Sequence, residues 1–193
     1  MIRPATTDDV DELGELAART WMDTFGAGLA AEDAASEIEE RRSARYFADA
    51  LERTTLLVAE QEGGLVGYVQ LGDVTFPEIA AQPEDGAIHR VYVATPLQGR
   101  GIGRALTEAA LAHRRLVDAP RVYLSVWEKN ERAIGLYRSF GFLPIGTTRF
   151  TVGSEVLEDL VMVLDRRTGR LTHPPTAKSQ PPTGPPFRRS ARG

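Results

Sequence analysis

The chain has 193 residues, of which 42% are hydrophobic and 26% charged, a composition that fits one globular domain with an apolar core. The net charge of −4 argues against general nucleic-acid binding, and the lack of cysteine excludes disulfides, thiolate metal sites and cysteine nucleophiles. The N-terminal residues 1–4 lack a signal-peptide pattern and no apolar run approaches the ~20 residues of a membrane span, so we expect a cytoplasmic enzyme or binding domain.

Strand and helix patterns alternate along most of the chain. A short strand at 2–5 precedes an amphipathic helix over about 10–25, and a helix rich in Ala, Glu and Arg follows over about 31–52. The glycines after Glu62 indicate a hairpin turn. The other predicted elements are strands 54–59, 65–71 and 88–93, helix 101–117, strand 121–126, helix 130–140, and strands 145–152 and 157–164. This order predicts a mixed sheet with helices on both faces, in the α/β or α+β class.

The composition changes at about residue 167. The segment 167–193 holds six of the twelve prolines and six basic residues, but no acidic residue. It cannot bury enough apolar surface to offset its ordering entropy, so we predict a folded domain over 1–166 and a disordered, basic, Pro-rich tail over 167–193. Removing six positive charges from the net charge of −4 leaves −10 for residues 1–166, so the predicted domain is distinctly acidic.

The most informative segment is a glycine-rich turn between a predicted strand and a predicted helix. It consists of Gln98, Gly99, Arg100, Gly101, Ile102, Gly103 and Arg104. Glycines let backbone N–H groups converge on an anion, and a helix N-terminus adds partial positive charge, so this turn suits a pyrophosphate. The spacing matches neither a Walker loop nor a dinucleotide fingerprint. A glycine-rich turn that binds nothing stays open on spacing alone.

Two motifs resemble those of one known family. The motif Gln98-x-x-Gly101-x-Gly103, after the strand 90–93, resembles the acetyl-CoA loop of the GNAT superfamily of N-acetyltransferases. The segment 127–142 resembles the second cofactor-facing strand and helix of that superfamily. The resemblance covers roughly residues 1–165. It implies a single-domain GNAT-like fold, with a mixed, mostly antiparallel central sheet of about seven strands flanked by about four helices on both faces.

Within the superfamily, the chain is most similar to the bacterial PaiA-like polyamine (spermidine/spermine) N-acetyltransferases, through residues 21–25, 127–133 and 146–162. This likeness implies direct acetyl transfer from acetyl-CoA to a primary amine, with a small polyamine or another cationic amine as the leading acceptor. The net charge, the lack of a long apolar run and the scattered histidines predict no nucleic-acid, membrane or metal partner, and a homodimer stays open. Acetylation of a protein N-terminus, a lysine or an aminoglycoside-type antibiotic stays open, as does a non-catalytic acyl-CoA-sensing module.

The resemblance also assigns acetyl-CoA contacts to the two motifs. Backbone groups of Val91 and Val93 would pair with the pantetheine arm, and residues 98–104 would hold the pyrophosphate. A main-chain N–H near Val91 and Tyr92, where the family often has a bulge, would bind the thioester oxygen. Asn130 matches a position that contacts the pantetheine region.

Tyr137 is the predicted general acid. It follows Asn130 by two helical turns, and in the family the tyrosine at this motif position points its hydroxyl at the CoA sulfur. The alternative is that Tyr137 is one more core aromatic. Other catalytic classes have little support, because the chain lacks a Gly-x-Ser-x-Gly elbow and its histidines, at 89, 113 and 173, form no metal-binding motif.

His89 is the predicted general base. Relatives often carry the base at a position matching 87 or 89, and residues 87, 89, 91 and 93 share one face of a regular strand. PaiA-like sequences have acidic residues there, from which Ala87 and His89 depart. A purely structural hydrogen bond of His89 is equally open, and Glu84 and Asp85 are reserve candidates that would act through water.

A group of acidic residues marks the predicted helix 31–52. Its members are Glu32, Asp33, Glu37, Glu39 and Glu40. By the resemblance, this helix lies where the superfamily builds its acceptor wall, and an acidic wall would concentrate a cationic amine. Alternating Glu and Arg are also typical of a solvated helix face, and that interpretation stays open.

Overall fold

The computed structural model describes residues 1–26, 29–152 and 155–167, so the predicted tail lies outside the described residues except for Arg167. The strands are β1 (Ile2–Pro4), β2 (Thr55–Gln61), β3 (Gly64–Gly72), β4 (Gly86–Val93), β5 (Arg121–Trp127), β6 (Leu143–Val152) and β7 (Glu155–Asp165). The α-helices are α1 (Val10–Phe25), α2 (Ala31–Arg42), α3 (Ala44–Arg53), α4 (Ile102–Ala112) and α5 (Glu131–Ser139).

The strands form one seven-stranded sheet in the order β1-β2-β3-β4-β5-β7-β6. Neighbouring strands are antiparallel except for β4 and β5, which are parallel. The predicted fold class, a mixed and mostly antiparallel sheet with helices on both faces, is therefore confirmed. The β2–β3 turn also lies where its sequence predicts, because Gly63 and Gly64 take φ values of +99° and +124° that favour glycine.

The predicted helix 31–52 is wrong as a single helix, because Ser43 divides it into α2 and α3. Ser43 has an extended backbone, and its hydroxyl accepts a hydrogen bond from Tyr46 N (3.2 Å) while donating to Glu39 O (2.8 Å). A serine that caps the second helix and binds a carbonyl of the first stabilises a sharp change of direction. The turn lets Phe47 in α3 pack into the core.

Two apolar clusters cover the two faces of the sheet. On one face, Leu106 of α4 and Ile134 of α5 pack against the central strands. On the other face, Leu16 of α1 and Phe47 of α3 pack against Tyr68 of β3. The helices therefore hold the centre of the sheet from both sides, which fixes the position of β4 and β5.

Candidate active site

The sheet opens between its two parallel strands. β4 and β5 are paired only from Gly86 to Ile88, which lie opposite Val122 to Leu124. Beyond these pairs the described part of β4 is bonded only to β3, and that of β5 only to β7. The strands therefore diverge and line a cleft of ≈ 790 Å³.

The free edge of β4 faces this cleft. Ala94 N donates to Val66 O of β3 (2.9 Å), and hydrogen-bonding direction alternates along an antiparallel strand. Tyr92 therefore directs its backbone groups to β3, whereas Val91 and Val93 direct theirs toward β5. The Val93 carbonyl already accepts a hydrogen bond from Gln98 Nε2 (3.2 Å). This is the arrangement that the predicted pairing of Val91 and Val93 with an extended pantetheine arm requires.

The bulge in β4 lies earlier than the sequence resemblance implies. Gln70 pairs with Arg90 and Leu71 pairs with Ile88, so His89 is the extra residue. Val91 and Tyr92 remain in regular register with β3. The expected bulge near Val91 and Tyr92 is thus displaced to His89, and of those two residues only Val91 turns its N–H toward the cleft.

The bulge also changes the face on which His89 lies. Val91 and Val93 pack against the cluster beneath α4 and α5, whereas the His89 ring covers Gly72, where a Cβ would lie 2.5 Å from its Nε2 and 3.6 Å from Thr54 Cγ2 at the end of α3. The expectation that 87, 89, 91 and 93 share one face is therefore wrong, because one extra residue reverses the alternation.

His89 lines the cleft and has a lowered pKa. Burial is the main cause, and the positive charges of Arg90 and Arg115 act in the same direction, while Asp73 opposes them. A histidine with a lowered pKa is neutral at physiological pH, so its imidazole has a free lone pair and can accept a proton.

The glycine-rich turn leads into α4 through two left-handed residues. Gly99 and Gly101 take φ values of +85° and +86°. The first N–H that donates within α4 is that of Ala105, to Gly101 O (2.9 Å), so the N–H groups of residues 102–104 precede the helical hydrogen bonds. Apart from Gly101 itself and its chain neighbours, no atom of the described residues lies within 4 Å of where a Cβ on Gly101 would stand. Open space above convergent N–H groups fits the pyrophosphate of acetyl-CoA.

Three arginines surround this turn in different ways. Arg100 is exposed, whereas Arg104 donates to Ser139 Oγ (2.8 Å) and lies over the Phe140 ring, so its guanidinium is directed toward α5. Sequence reasoning missed Arg132, which donates to Gln98 Oε1 (3.4 Å) and approaches Gly99. Arg132 lies two residues after Asn130 in the second sequence motif, which is the one sequence feature that pointed to it. Only the tertiary structure brings α5 beside the glycine-rich turn.

Tyr137 and Asn130 enter the cleft from α5. Asn130 caps the helix, because its Oδ1 accepts from Ala133 N (3.1 Å). Tyr137 is buried with its ring 6.0 Å from that of Phe142, so it belongs to the core as well as to the cleft. Burial raises the pKa of Tyr137, and nearby Tyr92 adds to this effect. The phenol therefore stays protonated and can donate a proton.

The reserve bases lie elsewhere. The carboxylate of Asp85 is fully buried and binds Arg121 through two hydrogen bonds, of 3.1 Å and 2.6 Å. Glu84 is exposed, and neither residue lines the cleft. Asp85 therefore has a structural role at the start of β4.

The acidic residues of α2 are mostly solvated. Glu32, Glu39 and Glu40 are exposed. Glu37 faces the cleft, but its carboxylate is 2.7 Å from Arg42, so its charge is compensated. The solvated-face interpretation therefore fits these residues better than an acidic wall.

Three aromatic side chains from segments far apart in the sequence meet along the cleft. The ring of Phe25 lies 5.9 Å from that of Trp21 and 5.3 Å from that of Trp127. The α1 motif and the β5 motif thus form one wall, which we call the aromatic wall (Trp21, Phe25 and Trp127).

Asp159 is a cleft residue that sequence reasoning missed. Its Oδ2 accepts a hydrogen bond from Ser125 Oγ (3.0 Å), and its Oδ1 is shielded from solvent without a hydrogen-bond partner among the described residues. Burial raises the pKa of Asp159, while the bond from Ser125 opposes this rise. Asp159 is one of four acidic residues in β7, with Glu155, Glu158 and Asp165, and no spacing sets it apart from the others.

Among residues 1–26, 29–152 and 155–167, no group of three or more His, Asp or Glu side chains is arranged to hold a metal ion. No helix in these ranges is long and apolar enough to cross a membrane.

Comparisons with known proteins agree with this geometry. The model of the acetyltransferase (GNAT) family matches residues 15–142. An uncharacterized N-acetyltransferase of Mycobacterium tuberculosis is 34% identical over 157 residues, which cover 80% of this chain and 96% of that protein. A spermine/spermidine N(1)-acetyltransferase of Bacillus subtilis is 33% identical over 102 residues, covering 51% of this chain and 66% of that protein.

A solved structure has the same fold. The PaiA N-acetyltransferase from Thermoplasma acidophilum, in complex with coenzyme A, superposes with a TM-score of 0.68 at 20% identity and covers 86% of this chain and 98% of that chain. The family match and the mycobacterial relative cover most of the domain, and the cleft has the backbone edge and glycine turn that the donor needs. The chain belongs to the GNAT acetyltransferase family and is an acetyl-CoA-dependent N-acetyltransferase.

Proposed function

We propose that the acceptor is a small cationic amine, with a polyamine as the leading example, and that the chain belongs with the PaiA-like enzymes. The observation that carries the proposal is that one cleft holds the free β4 edge, the neutral imidazole of His89 and the neutral phenol of Tyr137. The partial similarity to a spermine/spermidine acetyltransferase and the net charge of −10 over residues 1–166 support a cationic acceptor.

In this proposal, two side chains move protons in opposite directions. Acetyl-CoA supplies the acetyl group on a thioester, and its thiol is the leaving group. His89 accepts the proton that the attacking nitrogen loses, and Tyr137 gives its phenolic proton to the departing sulfur. In the same proposal, the outward N–H of Val91 binds the thioester oxygen. No covalent bond to the protein is needed.

The acceptor class is tested by thiol release from acetyl-CoA over a panel of amines. The panel contains spermidine, spermine, 1,5-diaminopentane, L-lysine, a peptide with a free N-terminus, and kanamycin. We expect the highest kcat/KM for the polyamines and the diamine. A higher kcat/KM for the peptide or for kanamycin would contradict the proposal and favour acetylation of proteins or antibiotics.

The base is tested with His89→Ala. Loss of the imidazole should lower kcat and flatten the acidic limb of the kcat–pH profile, because no group then titrates there. The Kd for CoA, measured by calorimetry, should stay unchanged. An unaltered acidic limb would show that water or another group takes the proton.

A second candidate acceptor is an amine that also carries a carboxylate. Arg90 favours it, because this half-buried guanidinium lines the cleft, lies 4.6 Å above the Tyr46 ring and donates to Arg41 O (2.6 Å), without a carboxylate partner among the described residues. L-Lysine and 1,5-diaminopentane differ only in the carboxylate. A preference for L-lysine that is lost in Arg90→Gln would select this candidate.

We also propose a cytoplasmic location and a homodimer, which the family resemblance implies or allows. Size-exclusion chromatography with light scattering measures the oligomeric state directly. A monomer at micromolar concentration would overturn the dimer.

A further inference from the structure

The carboxylates that line the cleft differ in how their charge is compensated. Three of them, Glu37, Asp73 and Asp159, are in contact with this space. Glu37 pairs with Arg42 at 2.7 Å, and Asp73 pairs with Arg115 at 2.7 Å. Asp159 forms no ion pair among the described residues.

The orientation of Asp159 is fixed by the sheet. It lies on β7 directly opposite Trp127 of β5 and Thr148 of β6. Ser125, two residues before Trp127 on the same face of β5, holds Oδ2 with its hydroxyl at 3.0 Å. This bond leaves Oδ1 without a partner in the described part of the chain. An oriented acceptor atom without a donor is a costly arrangement unless a ligand supplies the donor.

The surroundings of Asp159 suit a positive charge. Trp127 is its cross-strand neighbour, and its ring continues through Phe25 to Trp21 in the aromatic wall. These rings exclude water that would weaken an ion pair, and cations already lie over two of them, Arg42 over Trp21 at 4.5 Å and Lys129 over Trp127 at 5.9 Å. An ammonium group supplies N–H donors for Oδ1 and a positive charge that compensates the carboxylate.

We propose that Asp159, held by Ser125 and flanked by Trp127, binds the ammonium group of the acceptor that does not react. This inference rests on the proposed function and deepens it, because it names the residue that selects a cationic acceptor. Asp159 acts here by binding, while the proton of the reacting nitrogen goes to His89. The inference also applies to an acceptor that carries a carboxylate, since such a molecule has the same ammonium group.

The test compares Asp159→Asn with wild type, using 1,5-diaminopentane as the cationic acceptor and hydroxylamine, which is mostly uncharged at pH 8, as the neutral one. We expect the KM for the diamine to rise about thirtyfold, since a charge-assisted contact to a buried carboxylate is lost. The kcat/KM for hydroxylamine and the Kd for CoA should stay within threefold. Glu128→Gln is the control, because it removes an exposed charge next to Trp127 that lies outside the cleft and has no ion-pair partner among the described residues.

Other results would overturn the inference. An unchanged KM for the diamine in Asp159→Asn removes Asp159 from acceptor binding. An equal loss with both acceptors, or a lower kcat at constant KM, assigns Asp159 to chemistry or to folding instead of recognition. A retained CoA affinity excludes misfolding as the cause, and Ser125→Ala, which frees the carboxylate, should raise the KM for the diamine by a smaller factor, about threefold.

Failure of the proposed function gives a different result. If wild type turns over no amine at all, the proposed acceptor class is wrong. Calorimetric titration of the diamine into the CoA-bound enzyme still tests Asp159, because binding needs no turnover. Wild-type binding that Asp159→Asn weakens would support the subsite, and equal heats in both proteins would overturn it.

Discussion

The two ends of the cleft are built from different chemical groups. At the donor end, the ligand-facing groups are main-chain: the outward edge of β4 at Val91 and Val93, and the N–H groups of residues 102–104 after the glycine turn. At the acceptor end they are side chains, among them Asp159, Arg90 and the aromatic wall. Main-chain groups stay the same whatever the residue, so the donor end suits one constant substrate, whereas the acceptor end takes its selectivity from a few side chains.

The boundary between the two ends is the point where β4 and β5 separate. Tyr137 lines the cleft from α5 and His89 lines it from the bulge in β4. In the proposed mechanism, the reacting atoms therefore lie between a main-chain edge and two titratable side chains. The predictions below change one side of this division at a time, except the third, which concerns a carboxylate outside the cleft.

The largest expected effect comes from the side chain nearest the donor end. Tyr137→Phe removes the phenolic proton but keeps the ring in the core, so kcat should fall about 100- to 1000-fold. The Kd for CoA should change less than threefold by calorimetry. Tyr123→Phe, which removes the hydroxyl of another buried tyrosine outside the cleft, is the control. An unchanged kcat in Tyr137→Phe would exclude Tyr137 as the acid.

The donor end of the cleft is tested most directly by a substitution at Gly101. A valine there would have to adopt φ near +86°, which β-branched residues avoid, so the turn must change its conformation. We expect CoA to bind about 100-fold more weakly, since several N–H groups lose their alignment. Gly135→Val, at a helical glycine with open space around it, is the control. CoA affinity that survives Gly101→Val would refute the pyrophosphate cradle.

A third change tests whether a carboxylate outside the cleft has a separate role. Asp85→Asn leaves Arg121 without its buried charged partner, so the free energy of unfolding should fall by about 2 kcal/mol. Urea denaturation measures this loss, and kcat at 25 °C should stay within twofold. A large loss of kcat without loss of stability would return Asp85 to the list of candidate bases.

The smallest effect concerns the charge next to the base. The charge of Arg90 lowers the pKa of His89, although burial lowers it more, so Arg90→Gln should raise that pKa. More of the imidazole is then protonated at a given acidic pH, and the acidic limb of the kcat–pH profile moves to higher pH. Arg19→Gln, at an exposed position of α1, should leave the limb in place. A shift to lower pH would contradict His89 as the base.

Much of the fold was predictable because it depends on local chemistry. Alternating apolar residues predict the strands, and the glycines after Glu62 and before α4 mark the turns that need positive φ. The division at Ser43 was not predictable by periodicity, since helix-forming residues stand on both sides of it. One hydroxyl that serves two helix ends decided it.

The candidate site was likewise predictable from the sequence only in part. The glycine turn and the motif of α5 mark the donor end in the sequence, because main-chain geometry there demands particular residues. Asp159 has no such mark, since its importance depends on the hydrogen bond from Ser125 and on the lack of an ion-pair partner among the described residues. The role of His89 likewise depends on the bulge in β4, which no single residue of the sequence predicts.

The amino-acid sequence by itself determined the order of elements, the glycine turn for the donor and the family resemblance. These features depend on contacts between residues close along the chain. Only the tertiary structure decided where the sheet opens, which face His89 occupies, that Asp85 is paired and that Asp159 has no ion-pair partner among the described residues. The physical reason is that strand pairing and charge compensation join residues far apart in sequence, so they exist only once the sheet has formed.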